Sequence, residues 1–187
     1  RTHALRDGWK PMPSVGWMAQ PGLAVTSEAF ATQDGSQPVV MLRHRLRNTG
    51  STTVDGVLSL VVRPIQVNPP WQNGGASPIH DIAIVGDAST TGVRVDDRTL
   101  LASLTPVDAA GAAPFGEHGE TEVTAMVANG TSPSTRQAHD GDGLAAAVLD
   151  YKVHLSAGEQ RDVVLAFPLG NAATEANGHL AEPPQAR

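Results

Sequence analysis

The 187-residue sequence contains no cysteine, which excludes a disulfide framework, a thiolate metal site and a cysteine nucleophile. Lysine occurs only at Lys10 and Lys152, and the formal net charge is −6. A chain with this charge balance is not expected to bind nucleic acid or an anionic membrane through a basic surface. No apolar run approaches the roughly 20 residues needed to cross a bilayer. We therefore predict neither a nucleic-acid partner nor a membrane partner.

Apolar residues recur with a period of two along most of the chain, which is typical of β-strands with one buried face. The clearest example runs from Pro38 to Arg47. The polar turn Asn48–Ser51 then leads to a second strand at Val54–Val62, and the two strands are predicted to pair. One face of the first strand carries Val40, Leu42, His44 and Leu46, and the other carries Met41, Arg43, Arg45 and Arg47.

The sequence predicts an all-β, antiparallel β-sandwich of about nine or more strands with long loops, with a closed barrel as the structural alternative. Residues 1–21 are predicted to be irregular, 22–170 to form the sandwich and 171–187 to be a C-terminal linker. Residues 105–120 and 129–142 are rich in small and turn-forming residues and are predicted to be loops. The remaining strands are predicted at Leu23–Ala29, His80–Val85, Gly92–Val95, Thr99–Leu104, Glu122–Val127, Gly143–Leu155 and Gln160–Phe167.

No catalytic template fits the sequence. It has no Gly-x-Ser-x-Gly elbow, no phosphate-binding loop and no histidine pair at zinc-binding spacing. The stretch Asp140–Gly143 resembles the start of a calcium loop, but Leu144 and Tyr151 occupy positions that need oxygen ligands. A turn held by local aspartate hydrogen bonds is the better interpretation. We predict no metal, no cofactor and no catalytic residue in this chain.

Two weaker candidates for chemistry have structural interpretations. Glu117, His118 and Glu120 lie close together, but neighbouring loop carboxylates are usually solvated rather than catalytic. His44 lies on the apolar face of its strand, where a histidine is more often a hydrogen-bonded core residue than a ligand.

The segment from Val61 to Ser77 is the one place where the chain is built to present a loop. This segment reads VVRPIQVNPPWQNGGAS and opens with the β-branched pair Val61 and Val62. The adjacent prolines then stop the strand, and the two glycines permit turns. Trp71 either caps the end of the sandwich core or stacks on a sugar ring or a neighbouring domain.

Arg43, Arg45 and Arg47 form a row on one strand face. One interpretation is a solvated sheet face. The other is a docking face, because arginine pairs with planar carboxylates and is enriched at interfaces. Trp9 and Trp17 are candidates to join Trp71 in an aromatic platform for sugar, but both lie in the N-terminal stretch, and anchoring that stretch to the sandwich is the simpler role.

Two blocks of sequence, Leu42–Ile79 and Val153–Gly170, suggest a family. The first contains Arg-Asn-Thr-Gly and Arg-Pro-x-Gln-Val-Asn-Pro-Pro-Trp-Gln, and the second contains Leu-Ser-Ala-Gly-Glu. Together they resemble the large, supersandwich-like β-sandwich domains of bacterial carbohydrate-active proteins. In these proteins a linker joins the sandwich to an (α/α)6 barrel of the six-hairpin glycosidase type, and some members also carry discoidin-like domains.

The resemblance implies a supporting role rather than catalysis, because the catalytic carboxylates of such proteins lie in the barrel. It implies that the sandwich packs on the (α/α)6 barrel of the same parent protein and lends loops to the rim of the substrate cleft, or helps the protein to oligomerise. The resemblance further implies that one loop faces the barrel or an oligosaccharide, with Arg63, Gln66, Asn68, Trp71, Gln72 and Asn73 as its contact residues. The alternatives are a stand-alone carbohydrate-binding module, which needs an exposed aromatic platform, and a structural or adhesive sandwich without a ligand. An autonomous hydrolase would need two convergent carboxylates. Sandwiches host all of these roles, so the fold class does not select among them.

Overall fold

A computed structural model describes residues 1–34, 37–64, 77–87, 89–116 and 122–169. Across these residues the chain forms twelve strands and one short helix, so the predicted all-β, sandwich-like fold class is confirmed. The elements are β1 Thr2–Arg6, β2 Lys10–Gln20, β3 Leu23–Asp34, β4 Gln37–Asn48, β5 Val54–Val62, β6 Asp81–Val85, β7 Gly92–Val95, β8 Arg98–Ser103, β9 Ala109–Ala113, α1 Glu122–Ala128, β10 Gln137–His139, β11 Ala146–Leu155 and β12 Gln160–Pro168.

The chain divides into two compact units. The first contains Arg1–Asp55, Leu101–Thr105 and the described residues from Val153 onward. The second contains the described residues of Gly56–Leu100 and Pro106–Lys152. Strands β5, β8 and β11 run across these boundaries.

In the first unit, β1, β2, β3, β4 and β12 lie side by side in that order, and each neighbouring pair is antiparallel. The end of β8 continues the sheet beside β12. The register places Arg43 between Glu28 and Val164, and Arg45 between Thr26 and Asp162. The predicted strand β4 is therefore confirmed, with its arginines on one face of the sheet. The same face also carries Met41, which is buried beside Val39, so this face is not polar along its whole length.

In the second unit, β7, β6 and β10 form an antiparallel series, and β11 pairs antiparallel with β9. Strand β11 provides much of the core, because every residue from Ala146 to Tyr151 is buried. The helix α1 packs Val123 against Ala113, Ala146 and Val148. The burial of these apolar side chains is the main favourable term that stabilises such a unit.

The prediction that residues 1–21 are irregular is wrong, because β1 and β2 occupy this stretch. Pro11, Pro13 and Gly16 lower the strand propensity of β2 and conceal it in the sequence. Both prolines precede Ser14, where the registered pairing of β2 with β3 begins, so the missing N–H groups interrupt no bond to β3. Gly16 fits because an added Cβ would lie 2.7 Å from Thr2 Oγ1.

The predicted strand Glu122–Val127 is wrong as well, because these residues belong to the helix α1. Gly130 has a positive φ of 71° and donates its N–H to Val127 O at 3.0 Å, which ends the helix in a left-handed cap. Val123 and Val127 lie four residues apart and share the buried side of the helix. Tertiary packing on Ala113 and Ala146 therefore outweighs the β-propensity of the two valines.

Two further expectations need correction. The predicted loops 105–120 and 129–142 contain β9, which pairs with β11, and β10, which pairs with β6. The alanine and glycine content of β9 hides it in the sequence, and β10 is only three residues long. Strands β4 and β5 do not pair with each other across Asn48–Ser51, because β4 lies between β3 and β12 and β5 lies beside β11. The predicted linker 171–187 and the cluster Glu117, His118 and Glu120 lie outside the described residues.

Candidate functional site

The Trp71 loop remains a prediction. Gln66, Asn68, Trp71, Gln72 and Asn73 lie outside the described residues. Arg63, which follows β5 directly, is described and its side chain is exposed. At the start of this loop the chain therefore presents a charged side chain to solvent.

The predicted arginine row is held by carboxylates of its own sheet. Arg6 contacts Glu28 through two hydrogen bonds, Nε to Oε1 at 3.1 Å and Nη2 to Oε2 at 2.8 Å. Arg43 Nη2 also donates to Glu28 Oε2. Arg45 contacts Asp162 through Nε to Oδ1 and Nη2 to Oδ2, both at 2.8 Å. We call these five residues the arginine–carboxylate ladder.

The ladder is electrostatically coupled. The hydrogen bond from Arg45 lowers the pKa of Asp162, and the same bond raises the pKa of Arg45. Bidentate guanidinium–carboxylate pairs are stronger and more directional than ordinary hydrogen bonds. An external carboxylate would therefore have to displace Asp162 to bind the Nε–Nη2 edge of Arg45. Arg47 is exposed and has no ion pair within the described part of the chain, and the docking face remains a prediction.

His44 lies on the opposite face of β4, half-buried, with Nδ1 2.6 Å from Ser27 Oγ. Burial lowers its pKa, so the neutral imidazole is favoured. This geometry confirms the interpretation of His44 as a hydrogen-bonded structural residue. Asp140 likewise confirms the turn interpretation: its Oδ1 accepts N–H groups from Asp142 and Leu144 at 3.0 and 3.1 Å.

The two sequence blocks that carry the resemblance meet at Asn48, at the end of β4. Its side-chain Nδ2 donates to Thr52 O at 2.7 Å and to Leu155 O at 2.9 Å, and its Oδ1 accepts from Gly50 N at 2.9 Å. Its backbone N–H donates to Glu159 O at 2.9 Å, and its carbonyl accepts from Gly158 N at 3.1 Å. Asn48 is fully buried. The Arg-Asn-Thr-Gly and Leu-Ser-Ala-Gly-Glu motifs are therefore bonded to each other, and we call this the Asn48 junction.

Trp9 is an exposed aromatic residue rather than the anchor that the sequence favoured. It follows a tight turn in which Asp7 and Gly8 have positive φ of 54° and 78°, and 72% of its surface is exposed. Lys10 Nζ lies 5.7 Å from the ring centroid and 2.6 Å from Asp7 Oδ2. The hydrogen bond from Lys10 lowers the pKa of Asp7. The expectation that Trp9 anchors an irregular segment is wrong, because the indole sits at a hairpin tip in solvent.

A polar groove of about 420 Å³ lies on the second unit. It was not predicted, because its side chains come from three strands that are separated in sequence. Its walls combine carboxylates with hydrogen-bond donors. We call this the β6 groove, and it is lined by Asp81, Ile82, Ala83, Arg94, Asp96, Asp97, Gln137, Ala138 and His139.

No family model matches the sequence, and no curated protein sequence matches it. Within the described ranges, no group of three His, Asp or Glu side chains is arranged to hold a metal ion. Among the same residues, no helix has the length and apolar character needed to span a bilayer.

Proposed function

We propose that this chain is a non-catalytic β-sandwich module of a bacterial carbohydrate-active, glycoside-hydrolase-like protein. In this role it supports an (α/α)6 catalytic domain of the same parent protein and contributes the loop from Arg63 to Asn73 to substrate binding. The proposal starts from the sequence resemblance and from the antiparallel, sandwich-like fold.

The Asn48 junction is the observation that carries the proposal. It bonds the two sequence blocks that resemble the family, and it uses their most distinctive polar residue to join β4 to the segment between β11 and β12. A buried amide with all its polar groups paired rigidifies the backbone around it. Motif residues used in this way support a scaffold role rather than chemistry.

The arginine–carboxylate ladder supports the same role. Its charges are paired within one sheet, which gives a stiff polar surface rather than a set of free reactive groups. Glu28 is buried and paired with the guanidinium groups of Arg6 and Arg43, so it is not exposed to a substrate. A surface of this kind suits contact with a neighbouring domain, and the exposed Arg47 on the same strand face as Arg43 and Arg45 offers a charge for that contact that is unpaired among the described residues.

One observation favours the second candidate, a stand-alone carbohydrate-binding module. Exposed tryptophans with neighbouring hydrogen-bonding groups can stack on sugar rings, and Trp9 has Asp7 and Lys10 beside it. If Trp9 at the hairpin tip binds sugar, the chain can act as a binding module without a contribution from the Trp71 loop.

The test combines turnover with tryptophan fluorescence. The purified chain is assayed on aryl glycosides and then titrated with cello-, xylo-, manno-, malto- and chito-hexaose. We expect no turnover and a saturable fluorescence change that Trp71→Ala removes while Trp9→Ala retains it. Turnover above the blank would refute a non-catalytic role. A response lost only in Trp9→Ala would favour the stand-alone module.

A further inference from the structure

The β6 groove lies on one face of the antiparallel series β7, β6 and β10. The register places Ala83 of β6 directly between Arg94 of β7 and Gln137 of β10. One row further along, Asp81 pairs with His139. Side chains that pair directly across strands share a face, so these five residues point the same way.

The floor of the groove is small and firmly supported. Ala83 has only a methyl group between two long side chains, which creates the depression. Its chain neighbours Ile82 and Ile84 point to the other face, and both are at least 96% buried. A floor carried by a packed strand stays in place when the walls engage a ligand.

Half of the wall is already arranged by internal hydrogen bonds. His139 Nδ1 lies 2.9 Å from Asp81 Oδ1. Asp96 Oδ1 accepts the Asp81 N–H at 3.1 Å, and Asp96 N donates to Asp81 O at 2.8 Å. These bonds fix where the acceptor oxygens lie at one end of the groove.

The other half of the wall is free to bind. The side chains of Arg94, Gln137 and Asp97 make no hydrogen bond or ion pair within the described part of the chain. Arg94 and Gln137 stand on either side of Ala83, and neighbouring strands are about 4.8 Å apart. Donors, an amide and carboxylates are thus spread along the groove rather than gathered at one point.

We propose that the β6 groove binds a short neutral saccharide. Vicinal hydroxyls both donate and accept, so they match a wall that has Asp acceptors at one end and Arg94 and Gln137 beside the floor. Ala83 is buried at the floor, so the contacts to the ligand come from the polar side chains of the walls. This inference rests on the proposed carbohydrate role, and it adds a saccharide subsite on the second unit to the contact proposed for the Trp71 loop.

Other ligand classes fit the groove less well. An anionic ligand would meet the carboxylates of Asp81, Asp96 and Asp97 and only one arginine. An apolar ligand would remove water from the charged groups without forming hydrogen bonds to them, which is unfavourable. A neutral polyol satisfies both the donors and the acceptors.

The experiment uses the whole chain, labelled with ¹⁵N, titrated with the same five hexaoses and followed by amide shifts and calorimetry. Gln137→Ala removes one wall group, and Ala83→Leu fills the floor without changing charge. Gln160→Ala is the matched control, since Gln160 is an exposed glutamine on a strand of the first unit. We expect saturable shifts at residues 81–83, 94–97 and 137–139 with one hexaose. Gln137→Ala should weaken affinity about tenfold, and Gln160→Ala should leave it unchanged.

Each of the following three results would overturn the proposed saccharide site. If a hexaose binds with equal affinity to Gln137→Ala and to a folded Ala83→Leu, the groove is not the site, and the proposed function stands on another surface. If no hexaose binds, the saccharide assignment fails, while the turnover assay still judges the non-catalytic role separately. If calcium chloride alone shifts the same amides and sugar does not, the groove is a cation site and the proposal is overturned.

Discussion

Single polar residues hold this fold at points where strands end. Asn48 is the clearest case, because it is fully buried and uses its backbone and side-chain amides in five hydrogen bonds. Asp140 does similar work at the turn before β11: its Oδ2 accepts the Phe115 N–H at 2.9 Å, in addition to the two bonds to Oδ1. The cost of losing such a residue comes mainly from the partners that are left unpaired.

We expect Asn48→Ala to destabilise the chain by about 2 kcal/mol, because the carbonyl of the buried Leu155 would lose its partner and the bonds to Thr52 O and Gly50 N would be lost as well. Asn48→Asp should be at least as damaging at pH 7, since a carboxylate would face the carbonyls of Thr52 and Leu155. Urea unfolding measures both. Asn129→Ala is the control, because Asn129 is exposed, and its effect should stay within about 0.5 kcal/mol. Equal effects at positions 48 and 129 would contradict this account of the Asn48 junction.

At the scale of elements, small residues permit close backbone approaches that the sequence does not reveal. Strand β9 reads AAGAA and has little intrinsic β-propensity, yet it pairs with β11 along its whole length. Thr135 reinforces β9 through two hydrogen bonds to Ala112. Ala112 N donates to Thr135 O at 2.8 Å, and Thr135 Oγ1 donates to Ala112 O at 2.6 Å. Gly111 lies beside this contact, and Pro133 O occupies the space that a side chain would need.

We expect Gly111→Ala to destabilise the chain by roughly 2 kcal/mol or more, because its Cβ would lie 2.0 Å from Pro133 O. The clash is with backbone, so it can be relieved only by moving the segment that contains Pro133. Gly56→Ala provides the control: Gly56 lies on β5, and nothing comes within 4 Å of its added Cβ. In thermal unfolding, Gly111→Ala should have a clearly lower melting temperature than Gly56→Ala. A Gly111→Ala protein as stable as Gly56→Ala would show that the close approach is not required.

At the scale of the whole molecule, several carboxylates favour the charged form in the folded state. The pKa of Asp140 is lowered chiefly by the Phe115 N–H, and that of Asp162 chiefly by the hydrogen bond from Arg45. Hydrogen bonds from Ser89 and Thr90 lower the pKa of Asp87 to about 2. A carboxylate with a lowered folded-state pKa stabilises the fold above its unfolded pKa of about 3.9, and this stabilisation is lost as the pH falls through the folded value.

We therefore expect the melting temperature to drop as the pH falls from about 4 towards 2, as protonation removes these contributions. Asp140→Asn should have a lower melting temperature than the parent chain at pH 7, and this difference in melting temperature should become smaller as the pH falls from about 4 towards 2. Asp142→Asn is the matched control, because the Asp142 side chain accepts no hydrogen bond within the described residues. Melting curves from pH 7 to pH 2.5 measure this. A gap between Asp140→Asn and the parent that does not change with pH would contradict the assigned role of its carboxylate.

Periodic strands could be predicted from the sequence alone. Alternation identified the faces of β4, and Gly92–Val95 was predicted with its observed bounds, because side-chain direction in a strand follows from backbone geometry. The turn at Asp140 could also be predicted from the sequence, because an aspartate followed by glycine forms hydrogen bonds with its own local backbone. Elements whose local signals were weak were missed: β1, the proline-bearing β2, and β9.

Interactions between segments distant in sequence were decided only by the tertiary structure. The helix α1 forms because Val123 finds a buried partner surface on β9 and β11, although its residues predicted a strand. The arginines of β4 find Glu28 and Asp162, and the β6 groove gathers its walls from β6, β7 and β10. Local sequence determines how a segment alternates and where it turns, because those depend on its own backbone. Which carboxylate meets which arginine depends on strand order and register, and these are selected by the packing of the folded chain as a whole.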